Sequence, residues 1–310
     1  MSWFDQLMGV SESSWDYTNI PEMVSRKAGD FYSPQVGYLL DRIIDNERHD
    51  NQVKPIHVWT RNGSFHHDHL FDTSSLQVNG PSRALYQVAS NFNCLEIAHE
   101  SVSPFNGRFL TNLMVDSTQG PSAAAGCAAG TILRVVLHRQ NPLNLLRDTN
   151  MPFRNGKVYR KNVVTDQPTD YRKIRVGLQT DVTALYDRRR GHLSYHSDGP
   201  QIDQIYTSTC ICNAVPSSND PVCESFLRAS YEGTYAAAIY RQSSRLVLTA
   251  IGGGSFNNNP VQIMRIMGET HQKFSSYLPS ECEVHFPIYM PGDDMFLKHL
   301  PPSMINEHRC

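Results

Sequence analysis

The sequence predicts an α/β protein in which helices cover both faces of a central sheet. Two observations predict this class. In the later half of the chain, short apolar segments of β-favouring residues alternate with longer segments whose apolar residues recur at helical spacing. In addition, two of the predicted strands lead into a glycine turn that opens a helix. With 310 residues, the chain is long enough to bury a substantial core.

Local patterns place the elements in chain order. Ser33-Pro34 has the form of a helix start, and Asn62-Gly63 is a strong signal for the turn of a hairpin over residues 53–71. The other predicted elements are strands over residues 83–89, 173–183, 202–212 and 246–251, and helices over residues 122–137, 220–239 and 260–274.

One core with two flanking parts is the predicted organisation. Residues 81–280 form the core, and residues 1–80 contribute an arm, a helix and a hairpin that pack on it. Residues 281–310, which include Pro291, Pro301 and Pro302, are predicted to be a tail. Residues 140–172 are rich in Asn, Pro, Arg and Asp and are predicted to be a surface insertion.

Composition argues against several classes of partner. The net charge is −2, from 28 basic and 30 acidic residues, and no long basic run is present. Direct binding to nucleic acid or to a membrane surface therefore has little support. No window approaches 18 consecutive apolar residues, and the first residues do not have the pattern of a secretory signal. Seven irregularly spaced cysteines favour a reduced, cytoplasmic protein.

Neither a metal nor a cofactor is predicted. The spacing in Cys210-Ile211-Cys212 is wrong for a zinc knuckle, so these residues are interpreted as structural thiols. On a strand, His67 and His69 would share one side, but they could hold an ion only with a third ligand from elsewhere. Polar residues near an exposed strand edge are the preferred interpretation of that segment.

The most informative segment is the apolar stretch 246–251 with the three glycines that follow it. A buried strand that ends in a glycine turn before a helix is a common anion site, because backbone N–H groups are left open there. The candidate ligand residues are Gly252, Gly253, Gly254, Ser255, Phe256 and Asn257. A tight turn with no ligand is the alternative, but three consecutive glycines exceed what one turn requires.

A second strand–turn–helix unit lies about 130 residues upstream, and two such turns could hold one nucleotide. Asn91 and Asn93 follow its strand, where an amide can bind a ribose hydroxyl or an adenine edge. Gly120 allows close approach of the backbone, and all residues over 122–130 are small. Close packing of helix on sheet is the alternative explanation of that helix. Neither glycine turn is followed by the Lys-Ser or Lys-Thr of a Walker loop, and the Gly-x-Gly-x-x-Gly fingerprint is missing.

Together these residues resemble the macrodomain superfamily, the ADP-ribose-binding α/β/α modules. The shared features are the asparagine-bearing strand end, the small-residue helix, and a late strand ending in Ala-Ile-Gly-Gly-Gly-Ser-Phe-Asn before a helix. The family pattern is Gly-x-Gly-x-[Phe/Tyr]-Gly, in which Gly252, Gly254 and Phe256 match and Asn257 replaces the last glycine. The resemblance covers roughly residues 83–275 and implies a three-layer α/β/α fold with a mixed sheet.

The resemblance also implies roles for individual residues. Asn91 and Asn93 fall in the ribose position, Gln119, Gly120 and Ser122 in the first phosphate loop, and residues 252–256 in the second. The first loop has one glycine where typical members have two or three. ADP-ribose or a related nucleotide is the implied ligand, free or carried by an ADP-ribosylated protein.

Three functions follow as alternatives. The first is binding of ADP-ribose or a related nucleotide diphosphate. The second is hydrolysis of an ADP-ribosyl bond, with Glu96 or Asp116 as the acid, although the paired glutamates that follow the triple glycine in related poly(ADP-ribose) glycohydrolases are not found here. The third is a macrodomain-like scaffold for protein interaction that binds no ligand.

Overall fold

The structure is a computed structural model. It describes residues 2–43, 52–60, 72–116, 118–164, 167–189, 192–288 and 297–309. The predicted hairpin falls largely outside these residues, as do His66, His67, Asp68 and His69.

An eight-stranded mixed sheet forms the centre of the described chain, in the order β1-β4-β7-β3-β8-β9-β2-β10. The six strands from β7 to β10 in this order are parallel to their neighbours, and β4 is antiparallel to both β7 and β1. β5 and β6 form a separate antiparallel pair. The strands are β1 (Asp30–Tyr32), β2 (Ile56–Thr60), β3 (Ala84–Ala89), β4 (Gly177–Thr183), β5 (Tyr186–Arg189), β6 (His192–Tyr195), β7 (Gln201–Thr207), β8 (Arg245–Val247), β9 (Glu283–Pro287) and β10 (Ile305–Arg309).

Helices lie on both faces of the sheet, as predicted. Neighbouring residues of a strand point to opposite faces. Tyr86 of β3 donates its hydroxyl to the Leu76 carbonyl in α4, whereas Gln87 donates to Thr234 in α8. The helices are α1 (Trp3–Met8), α2 (Glu22–Ala28), α3 (Val36–Ile43), α4 (Thr73–Val78), α5 (Phe109–Leu113), α6 (Gln119–Gly126), α7 (Ala128–Gln140), α8 (Pro221–Arg241) and α9 (Pro260–Phe274).

The predicted helix over residues 122–137 is two helices. α6 and α7 meet at Cys127 with a bend of 101°. A Cβ atom on Gly126 would overlap Gln77, so α6 approaches α4 more closely than a bulkier helix can. The carbonyls freed at the bend are satisfied locally, since Gly126 accepts from the Leu185 amide and Ala124 from the Thr131 hydroxyl. No single described helix is long and apolar enough to cross a membrane; α6 and α7 meet that criterion only as a bent pair.

The segments predicted to flank the core contribute to the sheet itself. β1 and β2 come from residues 1–80, and β9 and β10 come from residues 281–310. β10 is short and its residues are half-buried or exposed, so its sequence lacks the continuous apolar run that would have identified it.

Residues 140–172 also differ from the prediction of a surface insertion. Leu145, Leu146 and Val158 in this segment are each 1% exposed, and the Leu145 amide donates to the Phe92 carbonyl. The buried residues are scattered among polar ones without a helical or strand period, so no sequence pattern indicates that the segment packs. It lies beside the loop that follows β3.

Candidate functional site

Three parallel neighbours, β7, β3 and β8, end at the same edge of the sheet. Ala89 at the end of β3 is in register with Thr207 of β7, and Tyr86 is in register with Val247 of β8. The loop with Asn91 follows β3, and the glycine turn follows β8. Ligands of open α/β sheets bind outside the carboxyl ends of parallel strands, and both predicted turns lie at that edge.

Gly252 fixes the second turn in place. Its φ is +76°, a left-handed conformation that favours glycine, and a Cβ there would overlap Thr209 and lie 2.7 Å from Asn258 Nδ2. Asn258 in turn donates to the Cys210 carbonyl over 2.9 Å and accepts from the Thr209 hydroxyl over 3.0 Å. The turn after β8 is therefore bound to the chain that follows β7.

The tip of this turn presents open backbone donors. Gly253 donates to the Ala250 carbonyl and Asn257 to the Gly254 carbonyl. Among the described residues, no acceptor is found for the amides of the three residues in between, Gly254 to Phe256. Gly254 and Ser255 are exposed, and a Cβ on Gly254 would meet nothing within 4 Å. Consecutive open amides of this kind suit an anion.

Gln119 joins the first turn to the end of β3. Its Oε1 accepts from the Ala89 amide over 2.8 Å, and its Nε2 donates to the Gln87 carbonyl over 2.9 Å. The side chain thus pairs with β3 as a neighbouring strand would, and both ends of its amide are used. Gln119 positions the start of α6.

Gly120 lies where no other residue fits. A Cβ atom on it would overlap the Ala89 carbonyl oxygen and would lie 2.5 Å from Glu96 Oε2. Ser122, one turn into the same helix, is fully buried and donates to Asp72 Oδ1 over 2.9 Å, which caps α4. Gly120 thus brings the helix against β3 and Glu96, whereas the Ser122 hydroxyl is committed to α4.

Asn91 and Asn93 are buried within the loop that follows β3. Asn91 donates to the carbonyls of Leu95 and Ile97 over 2.8 and 2.9 Å. Asn93 Oδ1 accepts from the Leu95 amide, while its buried Nδ2 has no partner among the described residues. A ribose contact from Asn91 would have to replace one of its present hydrogen bonds.

Lys157 connects the loop after β3 with the second turn and was not predicted from the sequence. It is 5% exposed, its Nζ donates to Asn91 Oδ1 over 3.0 Å, and the same Nζ lies 5.5 Å from the centre of the Phe256 ring. Burial lowers the pKa of this ammonium, while the carboxylates of Glu96 and Glu100 act in the opposite direction. Its segment looked like a solvated insertion, and no signal separated Lys157 from the other basic residues there.

Glu96 is a carboxyl with a strongly raised pKa at this edge. Burial raises the pKa of its carboxyl to about 7, against the hydrogen bond from Ser90 and the charges of Arg134 and Lys157. Its Oε1 is buried without a hydrogen-bond partner among the described residues. Asp116 adds a smaller upward effect on the same pKa, and its own carboxylate accepts from the amide and hydroxyl of Thr118. A carboxyl with a pKa near neutrality can act as acid or base.

Similarity to known proteins is found at the level of three-dimensional structure. No protein-family model and no curated protein sequence matches the chain. The structure matches that of poly(ADP-ribose) glycohydrolase from Thermomonospora curvata with a TM-score of 0.56 and 15% identity, over 90% of this chain and 88% of that one. The same enzyme bound to the inhibitor ADP-HPD matches with a TM-score of 0.51 and 13% identity, over the same shares of both chains.

The chain has the fold of the poly(ADP-ribose) glycohydrolases. The expected three-layer, macrodomain-like fold with a mixed sheet is thereby confirmed. Because the match covers 90% of the chain, the poly(ADP-ribose) glycohydrolase fold includes parts outside residues 83–275, to which the sequence resemblance was limited.

Proposed function

We propose that this protein binds ADP-ribose or a closely related nucleotide diphosphate at the carboxyl edge of β3 and β8. The observation that carries the proposal is the turn over residues 254–256 with its open amides. The Phe256 ring of this turn lies beside the buried ammonium of Lys157, which also contacts Asn91. A diphosphate needs several donors and a positive charge in a confined space, and the amides and Lys157 supply both.

Local charge supports an anionic ligand even though the whole chain is nearly neutral. The net charge of the protein is −2, so overall attraction for anions is not expected. Lys157 is instead a single, nearly buried cation whose interaction with a phosphate would be only weakly screened by salt. Binding should therefore depend less on ionic strength than binding to an exposed basic patch.

Calorimetry with ADP-ribose tests the proposal. The variant Gly254→Trp places a large side chain over the open amides, and the empty space around Gly254 predicts that the chain still folds. We expect heat of binding with the wild type and none with the variant. Ser197→Trp is the matched control, since Ser197 is exposed in the turn before β7, at the opposite edge of the sheet. Equal affinity in all three proteins, or no heat with the wild type, would contradict the proposal.

Hydrolysis of an ADP-ribosyl bond is the second candidate, and Glu96 is the observation that favours it. A protonated carboxyl at neutral pH can donate a proton to a leaving group. Glu96 has a raised pKa and a buried oxygen without a partner, and it contacts the start of α6 at Gly120. Asp116 is the weaker candidate because its carboxylate is held by Thr118.

A paired substitution separates binding from turnover. Glu96→Gln keeps the shape of the side chain but cannot donate a proton as an acid, so ADP-ribose affinity should stay within a few-fold while release of ADP-ribose from a poly(ADP-ribosyl) substrate stops. Asp116→Asn is the control and should retain most turnover. Unchanged turnover by Glu96→Gln would exclude Glu96 as the acid and leave the binding proposal standing.

A further inference from the structure

Three cysteine sulfurs converge just beyond the end of β7. Cys210 and Cys212 follow β7, and Cys223 lies in the first turn of α8. The Sγ atoms of Cys210 and Cys223 are 3.4 Å apart, those of Cys212 and Cys223 are 3.8 Å apart, and those of Cys210 and Cys212 are 3.9 Å apart. This cys triad is buried, with exposed fractions of 0, 5 and 0%.

The triangle has the dimensions of a metal site. Thiolates bound at about 2.3 Å to a tetrahedral ion lie about 3.8 Å from one another, and about 4.0 Å apart in a trigonal plane. Two of the observed separations, 3.8 and 3.9 Å, match these values, and the third, 3.4 Å, is shorter. Packing of the core alone does not require three sulfur atoms from two different segments to converge.

The surroundings favour negative charge at the sulfurs. Cys223 lies at the N-terminus of α8, a 21-residue helix whose dipole is positive at that end. Arg160 lies beside the helix start, but its Nε is 2.8 Å from Asp220 Oδ2, so the charges of this pair largely cancel. A divalent ion with three thiolates keeps one net negative charge, which the helix end partly offsets.

We propose that Cys210, Cys212 and Cys223 together bind one thiolate-preferring metal ion. Binding replaces three S–H bonds by three metal–sulfur bonds and releases three protons to solvent, with no change of oxidation state. Zn²⁺ and Cu⁺ share the required affinity for sulfur, and among the described residues no further Cys, His, Asp or Glu joins the group. A tetrahedral ion would take its fourth ligand from outside the triad, whereas a trigonal ion needs none.

The ion would be structural for the proposed nucleotide site without forming part of it. The Cys212 amide donates to the Phe256 carbonyl, and the Cys210 carbonyl accepts from Asn258. The Ile211 amide donates to the Val158 carbonyl, and the Ile211 carbonyl accepts from the Arg160 amide. Val158 directly follows Lys157 in the chain. A metal at the triad would therefore connect α8 to residues 210–212, whose backbone is hydrogen-bonded to the second turn and to the segment after Lys157.

Metal analysis of the full chain tests the proposal directly. The protein is purified under reducing conditions, and bound metals are measured by plasma mass spectrometry. The stripped protein is then titrated with Zn²⁺ or with Cu⁺ against a coloured chelator. We expect one ion per chain with at least one of the two metals, and the metal that binds more tightly identifies the occupant. Uptake of neither ion by the reduced, folded wild type would overturn the proposal.

Two variants locate the ion. Cys212→Ser should lose stoichiometric binding, whereas Cys282→Ser, which alters a buried cysteine outside the triad, should keep it. Equal stoichiometry in both variants would overturn the assignment. If Cys212→Ser does not fold, the wild type serves alone: a chelator should lower its melting temperature, and the ion should restore it. None of these measurements depends on nucleotide binding, so the metal site and the proposed function can fail separately.

Discussion

The properties of Glu96 and Lys157 depend on contacts that their positions in the sequence do not reveal. Glu96 is one of two carboxylates that the sequence offers as the acid, and the structure adds a pKa near 7 and contact with Gly120. Lys157 could not be selected, since its burial depends on how residues 140–172 fold back over the end of β3. Proximity along the chain identifies residues on one loop, but it cannot identify a partner from a loop 66 residues away.

The raised pKa of Glu96 predicts a pH-dependent stability. In the unfolded chain the carboxyl titrates near 4.5, and in the folded chain near 7. Between these pH values the folded chain binds a proton at Glu96 that the unfolded chain has released. The contribution of this proton to stability is therefore complete below pH 4.5 and is lost as the pH rises through 7. The shift corresponds to at most about 3 kcal/mol. Urea unfolding at pH 5 and pH 8 should therefore show Glu96→Gln stabilised over the wild type at pH 8 and nearly equal to it at pH 5. A difference of the same size at both pH values would contradict a buried, shifted carboxyl.

Lys157 predicts a change in the same titration. Its positive charge lowers the pKa of Glu96, so Lys157→Met should move that pKa further upward. Carbon-13 NMR of labelled glutamate carboxyls follows the Glu96 titration directly. Lys173→Met is a suitable control, because Lys173 is not among the groups that shift Glu96. A Glu96 titration that does not respond to Lys157→Met would show that the two side chains do not interact in solution.

The starts of the two longest helices in the described chain agree with the prediction. Asp220-Pro221 and Asn259-Pro260 begin α8 and α9, and both side chains accept from helix amides as N-caps do. The bend at Cys127 was not predicted, because a run of small residues fits a helix of any direction equally well. Its direction is set by contacts of α6 with α4 and of α7 with α2, which a local pattern does not contain.

The same substitution should cost much more stability in the first glycine turn than in the second. Gly120→Ala forces a Cβ onto the Ala89 carbonyl at the junction of β3 and α6, so we expect a loss of at least about 2 kcal/mol of unfolding free energy. Gly254→Ala meets open space, and its effect should stay within about 0.5 kcal/mol. Urea unfolding of both variants measures the difference. Similar costs at the two positions would mean that the start of α6 is not packed as tightly as described.

For the whole molecule, the sequence predicted the layered α/β class but not which strands are neighbours. Apolar and alternating residue patterns indicate where strands lie in the chain, but the order of the strands in the sheet depends on pairing between distant segments. The sequence predicts β2 as part of a hairpin that packs on the core, whereas in the structure β2 lies between β9 and β10. One residue joins several of these layers: Arg134 of α7 is fully buried and donates to the Cys94 carbonyl, Gln179 Oε1 and the Thr131 hydroxyl.

Loss of Arg134 should therefore destabilise the whole fold. Its guanidinium also stacks on Tyr206 of β7, with its central carbon 3.8 Å from the ring centre. Arg134→Ala leaves buried acceptors unpaired and a cavity, and we expect a cost of about 3–5 kcal/mol in unfolding free energy. Arg139→Ala, in the same helix, is the control and should cost much less, because Arg139 is exposed near the end of α7. Equal costs for the two arginines would contradict a central role for Arg134.

The strand order has a consequence for how the chain is made in the cell. β2 is synthesised early, but both of its neighbours, β9 and β10, begin only at residues 283 and 305. While the ribosome makes the residues in between, β2 has no strand to pair with, and its apolar side chains are open to misassociation. Pairing of β2 must await synthesis of β9 and β10, so a chain that has not yet reached residue 283 carries β2 as an unpaired strand that is open to aggregation.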